Sequence, residues 1–276
     1  MMKLPVPLVE NTYKSYENYI NPLLTSEEFE KNKIISDNFF TNTAPILQKL
    51  LEEEKQLSTT SWIYKHWIDM YLNCKGSSNI DANFCFDITF PQNFEDKNGE
   101  ETLNIFSKSL SKVCKDFISG NFDEVVDARG TKLCLNQFSI LKGASRVPKN
   151  GVDEYNISQI SSNYMTIFYK DNLYKIEVFN ENEVFDLEEA IKEIIENSTQ
   201  SDSLLSSFSF LETKESAKIR EDLYVANQYF DVIENSLFNI SIIDKDFKSE
   251  EEKREYMLYL DGSNSWILKP LNFIYN

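Results

Sequence analysis

MTIFYKDNLYKIEVF, residues 165–179, decides the fold class. Two runs rich in β-branched and aromatic residues, Met165–Lys170 and Leu173–Phe179, flank Asp171-Asn172. Asp and Asn tolerate the positive φ of a two-residue turn, so the segment predicts a β-hairpin. Just downstream, Asp186-Leu-Glu-Glu189 has capping-box spacing and predicts the start of a helix. That helix carries Leu187, Ala190, Ile191, Ile194 and Ile195 on one apolar stripe. A second helix is predicted over Thr213–Leu223, and Phe230–Ser236 then leads into an apolar strand, Phe238–Ile243. Strands interleaved with helices predict an α/β (α+β) protein with a mixed β-sheet covered by helices.

Working outward, Glu101–Ser119 has Leu103, Phe106, Leu110, Val113 and Phe117 at helical spacing, while Leu133–Leu141 fits either a strand or a short helix. Residues 73–100 read as loop with a short apolar stretch, Phe84–Phe90. Thr25-Ser-Glu-Glu28 is a second capping box, and its helix is expected to turn Phe29, Ile34 or Ile35, and Phe39 inward. Ile46, Leu47, Leu50 and Leu51 stripe the next helix. In Trp62–Tyr71, one i, i+4 row holds Trp62, His66 and Met70, and the adjacent row holds Ile63, Trp67 and Tyr71. The spacing predicts a buried aromatic face containing the chain's one imidazole. Ser249–Glu255 reads as a solvated helix face. The close, LDGSNSWILKPLNFIYN (260–276), reads as a buried strand in which Pro270 needs an edge or bulge position.

Composition narrows the functional classes. The 276 residues are 41% apolar and 13% aromatic, with 28 basic against 45 acidic side chains and a net charge of −17. Such a surface repels phosphate backbones and anionic lipid, arguing against nucleic-acid or membrane-surface partners. No apolar run approaches the ~20 residues of a transmembrane helix, and the start lacks a signal- or transit-peptide pattern. Cys74, Cys85, Cys114 and Cys134 include no C-x-x-C pair. Beside a single histidine they offer little to a metal, and they read as reduced thiols in a cytoplasmic protein, with mitochondrion and peroxisome as the alternative locations.

His66 is the first candidate for a general base, but no nucleophile stands beside it in the local sequence. A hydrogen-bonded core histidine is the favoured reading. No G-x-S-x-G, G-x-G-x-x-G or P-loop motif occurs. Arg146, in Gly143-Ala-Ser-Arg-Val-Pro148, is a lone cation in a turn-forming segment, suited to capping a loop or pairing with a carboxylate. Residue chemistry alone describes an acidic mixed α/β protein without a self-contained active site.

Several segments, taken in order, carry more. LPVPLVENTYKSYENYINPLLTSEEFE (4–30) resembles the opening of the carnitine/choline acyltransferases. SWIYKHWIDMYLN (61–73) is similar to their tryptophan-rich helix. LCLNQFSILKGASRVPKNGVD (133–153) resembles their L-C-x-x-Q-Y…C-R-x-P-x-x-x-x-D block, with Arg146, Pro148 and Asp153 in register. NLYKIEVF (172–179), IREDL (219–223), VIENSLFNISIID (232–244) and DGSNSWILKPLNFIY (261–275) resemble later segments in the same order. Ser265 and Leu268 depart from the family's arginine and aspartate.

The resemblance implies transfer of acyl groups between coenzyme A and the hydroxyl of carnitine or choline, in a fold of two similar α/β domains. It implies no bound cofactor, with acyl-coenzyme A as co-substrate. Its general-base histidine belongs to an E-H-S-x-x-D-G type motif expected beyond Asn276, so this chain is expected to be a truncated or split first half, inactive alone. Trp67 and Tyr71 align with positions lining the acceptor pocket, and Arg146 with an arginine near the catalytic centre. Residues 1–72 are expected to be a helical segment that packs with a second domain, and 73–276 an incomplete first α/β domain. The alternative is a non-catalytic remnant that binds a ligand or partner, with exposed apolar surface favouring association.

Overall fold

The computed structural model describes residues 4–77, 86, 88–94, 97–158, 162–223 and 228–276; the stretch Phe84–Phe90 lies partly, and Cys85 wholly, outside them. The chain divides into two units, Met1–Trp67 and Ile68–Asn276.

The first unit is helical. α1 (Val9–Ile20) and a 3₁₀ turn at Asn21–Leu23 precede α2 (Ser26–Asn42) and α3 (Ala44–Leu57), and α4 (Ile63–Leu72) begins in this unit. The Thr25 capping box forms: its hydroxyl accepts the Glu28 N–H at 3.4 Å, and the Glu28 carboxylate accepts the Thr25 N–H at 2.9 Å. Only Thr43 separates α2 from α3, and Pro45 fits the first turn of α3, where its missing N–H costs no hydrogen bond. α1 is tied to α2 by Lys33, whose ammonium donates to Glu17 at 3.0 Å and to the Tyr13 hydroxyl at 3.2 Å, while the Tyr13 ring stacks on Phe40 with centroids 4.6 Å apart.

The apolar stripes of this unit do not lie inward as the spacing predicts. Ile34 is 72% exposed and Ile46 61%, and Ile35, Phe39, Leu47 and Leu50 are also exposed. Among the described residues the buried side chains here are Val6, Ser36 and Ala44. Periodicity reports which face of a helix is apolar, not what covers it.

The second unit holds six strands among the described residues: β1 (Ala144–Val147), β2 (Glu154–Ile157), β3 (Tyr164–Tyr169), β4 (Asn172–Glu177), β5 (Asn239–Ile242) and β6 (Asn272–Tyr275). β1 and β2 form a small antiparallel pair. The others make one mixed sheet in the order β4-β3-β5-β6, antiparallel at β3/β4 and parallel at β3/β5 and β5/β6. The expected hairpin forms, one residue out of the predicted place. Lys170 (φ 50°) and Asp171 (φ 58°) make the turn, and Asn172 opens β4 opposite Tyr169. The Asn172 amide instead donates to the carbonyls of Lys170 and Thr199, which favours the shifted register.

Because successive side chains on a strand point to opposite faces, β3 is buried on both. Met165, Ile167 and Tyr169 join the core with Leu103 and Cys114 of α5 (Gly99–Ile118) and Ile191 and Ile194 of α6 (Glu188–Asn197). Phe168 faces the other way, onto Phe208, Phe230, Ile233, Trp266 and Leu268. These come from a 3₁₀ segment (Ser206–Phe210), α8 (Tyr229–Asn235), which follows α7 (Thr213–Leu223), and the segment between α9 (Glu250–Tyr259) and β6.

Three local readings change, and one left open between strand and short helix is decided as helix. α6 starts at Glu188 without the predicted capping box: Asp186 accepts the Glu188 N–H at 3.3 Å, and its carboxylate also holds Lys108 and Asn104 of α5. Leu135–Lys142 is a 3₁₀ helix. The predicted turn around Arg146 is strand β1. The closing strand is confined to Asn272–Tyr275, half-buried at the sheet edge, with Pro270 outside its ladder.

Gly143, just before β1, has φ 87°, and a Cβ there would meet the Ser236 carbonyl oxygen at 2.7 Å. Gly143→Ala should therefore cost about 1–3 kcal/mol or more, from backbone strain and the clash together. Urea unfolding of the variant checks this. A change under ~0.5 kcal/mol would mean that β1 and α8 are not packed this closely.

Candidate functional site

The charged centre of the second unit is Arg146, raised on β1 and half-buried. Its Nε donates to Asp153 Oδ2 at 2.6 Å, and Nη2 donates to the Cys74 carbonyl at 2.7 Å. Asp153, at the end of the β1–β2 turn, is 1% exposed and keeps both oxygens occupied. Oδ1 accepts the Lys149 N–H at 3.1 Å, and Oδ2 also accepts the Thr213 hydroxyl at 3.3 Å. A buried carboxylate stays ionised only with such partners.

The same network fixes the loop after α4. The Asp153 N–H donates to the Leu72 carbonyl and the Thr213 N–H to the Lys75 carbonyl, both at 3.3 Å. On its other side, the Arg146 N–H donates to the Leu268 carbonyl at 2.8 Å. Arg146 thus joins the end of α4, the start of α7 and the segment leading to β6. Two of its donor positions are spent on these anchors, so its first role is to hold loops in place.

The aromatic residues of α4 are open. Trp67 is 55% exposed and Tyr71 39%, one helical turn apart, while Ile63 and Met70 are also exposed. The predicted burial of this face is not found. Arg146 reaches the backbone at Cys74, three residues beyond Tyr71, which brings it near the end of the helix that carries the aromatic row. His66 is not a core histidine: its side chain is 52% exposed, its Nε2 lies 2.9 Å from Glu54 Oε2, and its ring meets Trp62 edge-on. Glu54 is twelve residues away on α3, a partner that local spacing does not reveal. Among the described residues, no serine, threonine or cysteine is hydrogen-bonded to the imidazole.

Among the described residues, no group of three or more His, Cys, Asp or Glu is placed to hold a metal ion, and Cys74, Cys114 and Cys134 are free thiols. No helix of the described residues is long and apolar enough to cross a membrane. Sequence reasoning placed Asp153 in register with Arg146 but did not join them. The signal was there, since seven residues spanning a proline let a chain turn back on itself. Thr213, sixty residues on, left no such trace.

Fold and site define an acidic α/β protein in whose second unit a half-buried arginine and a buried aspartate organise the surrounding loops. The chain belongs to the choline/carnitine O-acyltransferase family, whose pattern matches residues 4–276. It is 26% identical over 98% of its length to the mitochondrial carnitine O-acetyltransferase of Saccharomyces cerevisiae, covering 43% of that protein. It is 25% identical over 99% of its length to the choline O-acetyltransferase of Danio rerio. Against the mitochondrial carnitine O-palmitoyltransferase 2 of Rattus norvegicus it is 22% identical over 99% of its length. The chain covers 47% of each of the latter two, so it spans about half the length of these relatives.

Proposed function

We propose that this chain supplies the first half of a choline/carnitine acyltransferase that moves an acyl group between coenzyme A and the hydroxyl of carnitine or choline. The observation that carries this reading is the collinear family match across residues 4–276. In such a transfer a histidine takes the proton of the acceptor hydroxyl, and the oxygen attacks the thioester carbonyl. The C–S bond breaks, and coenzyme A leaves with the proton returned to its sulfur. The sequence contains one histidine, His66, and its half-exposed ring is held by Glu54 rather than set beside a reacting group. In this proposal the base therefore comes from a second half, and the 276 residues alone are inactive.

Residues 1–72 are then the helical segment that packs on that second half, and 73–276 most of the first α/β domain. Trp67 and Tyr71 line the acceptor pocket, and Arg146 supports the catalytic centre from its anchored position on β1. The exposed Ile34, Ile35, Phe39 and Leu47 favour a second reading, in which the chain binds a ligand or partner without catalysis. A cytoplasmic location belongs to the proposal too, and cell fractionation decides it against the mitochondrial location named for two of the relatives.

Thiol release from acyl-coenzyme A, with carnitine or choline as acceptor, tests the assignment. The chain alone should give no rate above buffer, and co-expression with the C-terminal part of the yeast carnitine O-acetyltransferase should restore one. Turnover by the isolated chain that disappears in His66→Ala would make His66 the base and overturn the proposal. If every acyl donor and acceptor fails in the complemented pair, the binding reading stands in its place.

A further inference from the structure

Lys269 lies between Trp266 and the start of β6 and is 2% exposed. Its amine donates to the backbone carbonyl of Glu234, at the end of α8, at 2.9 Å. That carbonyl carries no formal charge to offset an ammonium. The Glu234 carboxylate is itself 5% exposed and is engaged by Arg220 of α7, whose Nη2 lies 2.7 Å away and whose guanidinium lies over the Phe230 ring. Arg220 thus engages the buried carboxylate, while the Lys269 amine meets the backbone carbonyl of the same residue. A buried cation in excess of its counter-charges is expelled or neutralised, and a lysine can lose its proton where an arginine cannot.

We propose that Lys269, Glu234 and Arg220 form a proton-sensitive clamp that fixes the Trp266–Leu271 segment to α8 and, through it, holds Arg146 in place. With a neutral amine the cluster is electrically balanced, Arg220 against Glu234, and Lys269 still donates to the Glu234 carbonyl. With an ammonium it carries an unbalanced positive charge that favours opening to water. The neighbouring backbone carries the effect onward. The Leu268 carbonyl, one residue before Lys269, accepts both the Arg146 N–H at 2.8 Å and the Ser145 hydroxyl at 3.3 Å. Lys269 is thus a positioning residue, and it never needs to touch a substrate.

The electrostatic surroundings agree with this. Burial pushes the Lys269 amine down to about 7, outweighing the opposing pull of Glu234 on α8 and Cys114 on α5. Burial likewise pushes Glu234 up to about 7, against Arg220, while Asp231 raises it and Lys269 and Lys149 lower it. Cys114, pushed up to about 12, stays a thiol throughout this range. Between about pH 7 and 10.5 the unfolded chain holds a proton on Lys269 that the folded chain has released, so stability rises with pH across that window. Glu234 adds no slope above about pH 7, because it is ionised there in both states.

The test follows the side-chain carbon adjoining the amine in the ¹³C,¹⁵N-labelled wild-type chain, assigned through bonds, from pH 6 to 9.5. Lys269 should titrate near neutrality. The Arg146 amide, corrected for intrinsic exchange, should be several-fold better protected at pH 8.5 than at pH 7. In Lys269→Met the rise in urea stability between pH 7.5 and 9.5 should vanish. If that variant does not fold, the wild-type titration and exchange data still decide. A Lys269 that stays charged to pH 9.5, or an Arg146 amide equally protected at both pH values, overturns the clamp.

Discussion

Arg146→Ala should lower the unfolding free energy by about 3–5 kcal/mol, among the largest losses from any single substitution in the chain. The magnitude comes from what is left behind. Asp153 is 1% exposed, and the variant strips it of the 2.6 Å contact to the only cation that the network sets against it. The Lys149 N–H and the Thr213 hydroxyl remain, but neither brings a positive charge. Arg146→Ala/Asp153→Asn should recover much of the loss, because the buried charge goes with its partner. Arg146→Lys should recover little, since one ammonium cannot reach both the carboxylate and the Cys74 carbonyl with the spread of a guanidinium. Urea titrations of the four proteins at pH 7 measure this. A loss below ~1 kcal/mol for the single variant would mean that Arg146 is spare in the folded chain and that its role lies elsewhere.

Trp266→Ala should cost a similar amount, about 3–5 kcal/mol. Trp266 is fully buried, stacked on Phe208 with centroids 5.5 Å apart and tilted against Phe230 at 5.9 Å. Removing it empties the centre of the smaller core beneath Phe168. Trp266→Phe, which keeps an aromatic partner for Phe208, should cost less than half as much. Calorimetric melting separates the two variants. Equal melting temperatures for Trp266→Ala and wild type would show that the segment before β6 is not docked on the sheet.

The elements that were legible in the sequence are those whose signal is local. The Thr25 box, the amphipathic α5 and the two runs of the hairpin each announce themselves within twenty residues. The turn slipped by one position because Lys170 takes a positive φ that its side chain does not advertise, freeing Asn172 to bind two carbonyls. The 3₁₀ helix at Leu135–Lys142 was ambiguous for the same reason that any short apolar run is. The exposed faces of α2, α3 and α4 could not be read from periodicity, since a stripe of Ile, Leu and Trp looks the same covered or bare; only the family resemblance led to an expectation of exposed apolar surface.

Site chemistry divides in the same way. Arg146 was singled out as an isolated cation, and its pairing with a carboxylate was one of the uses foreseen. Which carboxylate, and that strand β1 presents the arginine to it, required the fold. Lys269 and Glu234 drew no attention as sequence, because a lysine in an apolar segment usually bends its amine to the surface. Here the amine is covered, and only the packing of α8 against the β6 approach reveals it.

The sheet order also governs how the protein is made. Thr166 lies beside Asn239, 73 residues later, and Asn239 lies beside Asn272, a further 33 residues on. Each parallel pairing must close a long loop before any contact rewards it, which places the chain among slow, topology-limited folders. The β3–β4 hairpin needs no such search and is available as soon as it leaves the ribosome. The β5–β6 pairing must wait until Tyr275 has been synthesised. Between the synthesis of Ile242 and that of Tyr275, then, one side of β5 lacks its neighbour, and chaperone demand should peak while those 33 residues are being added.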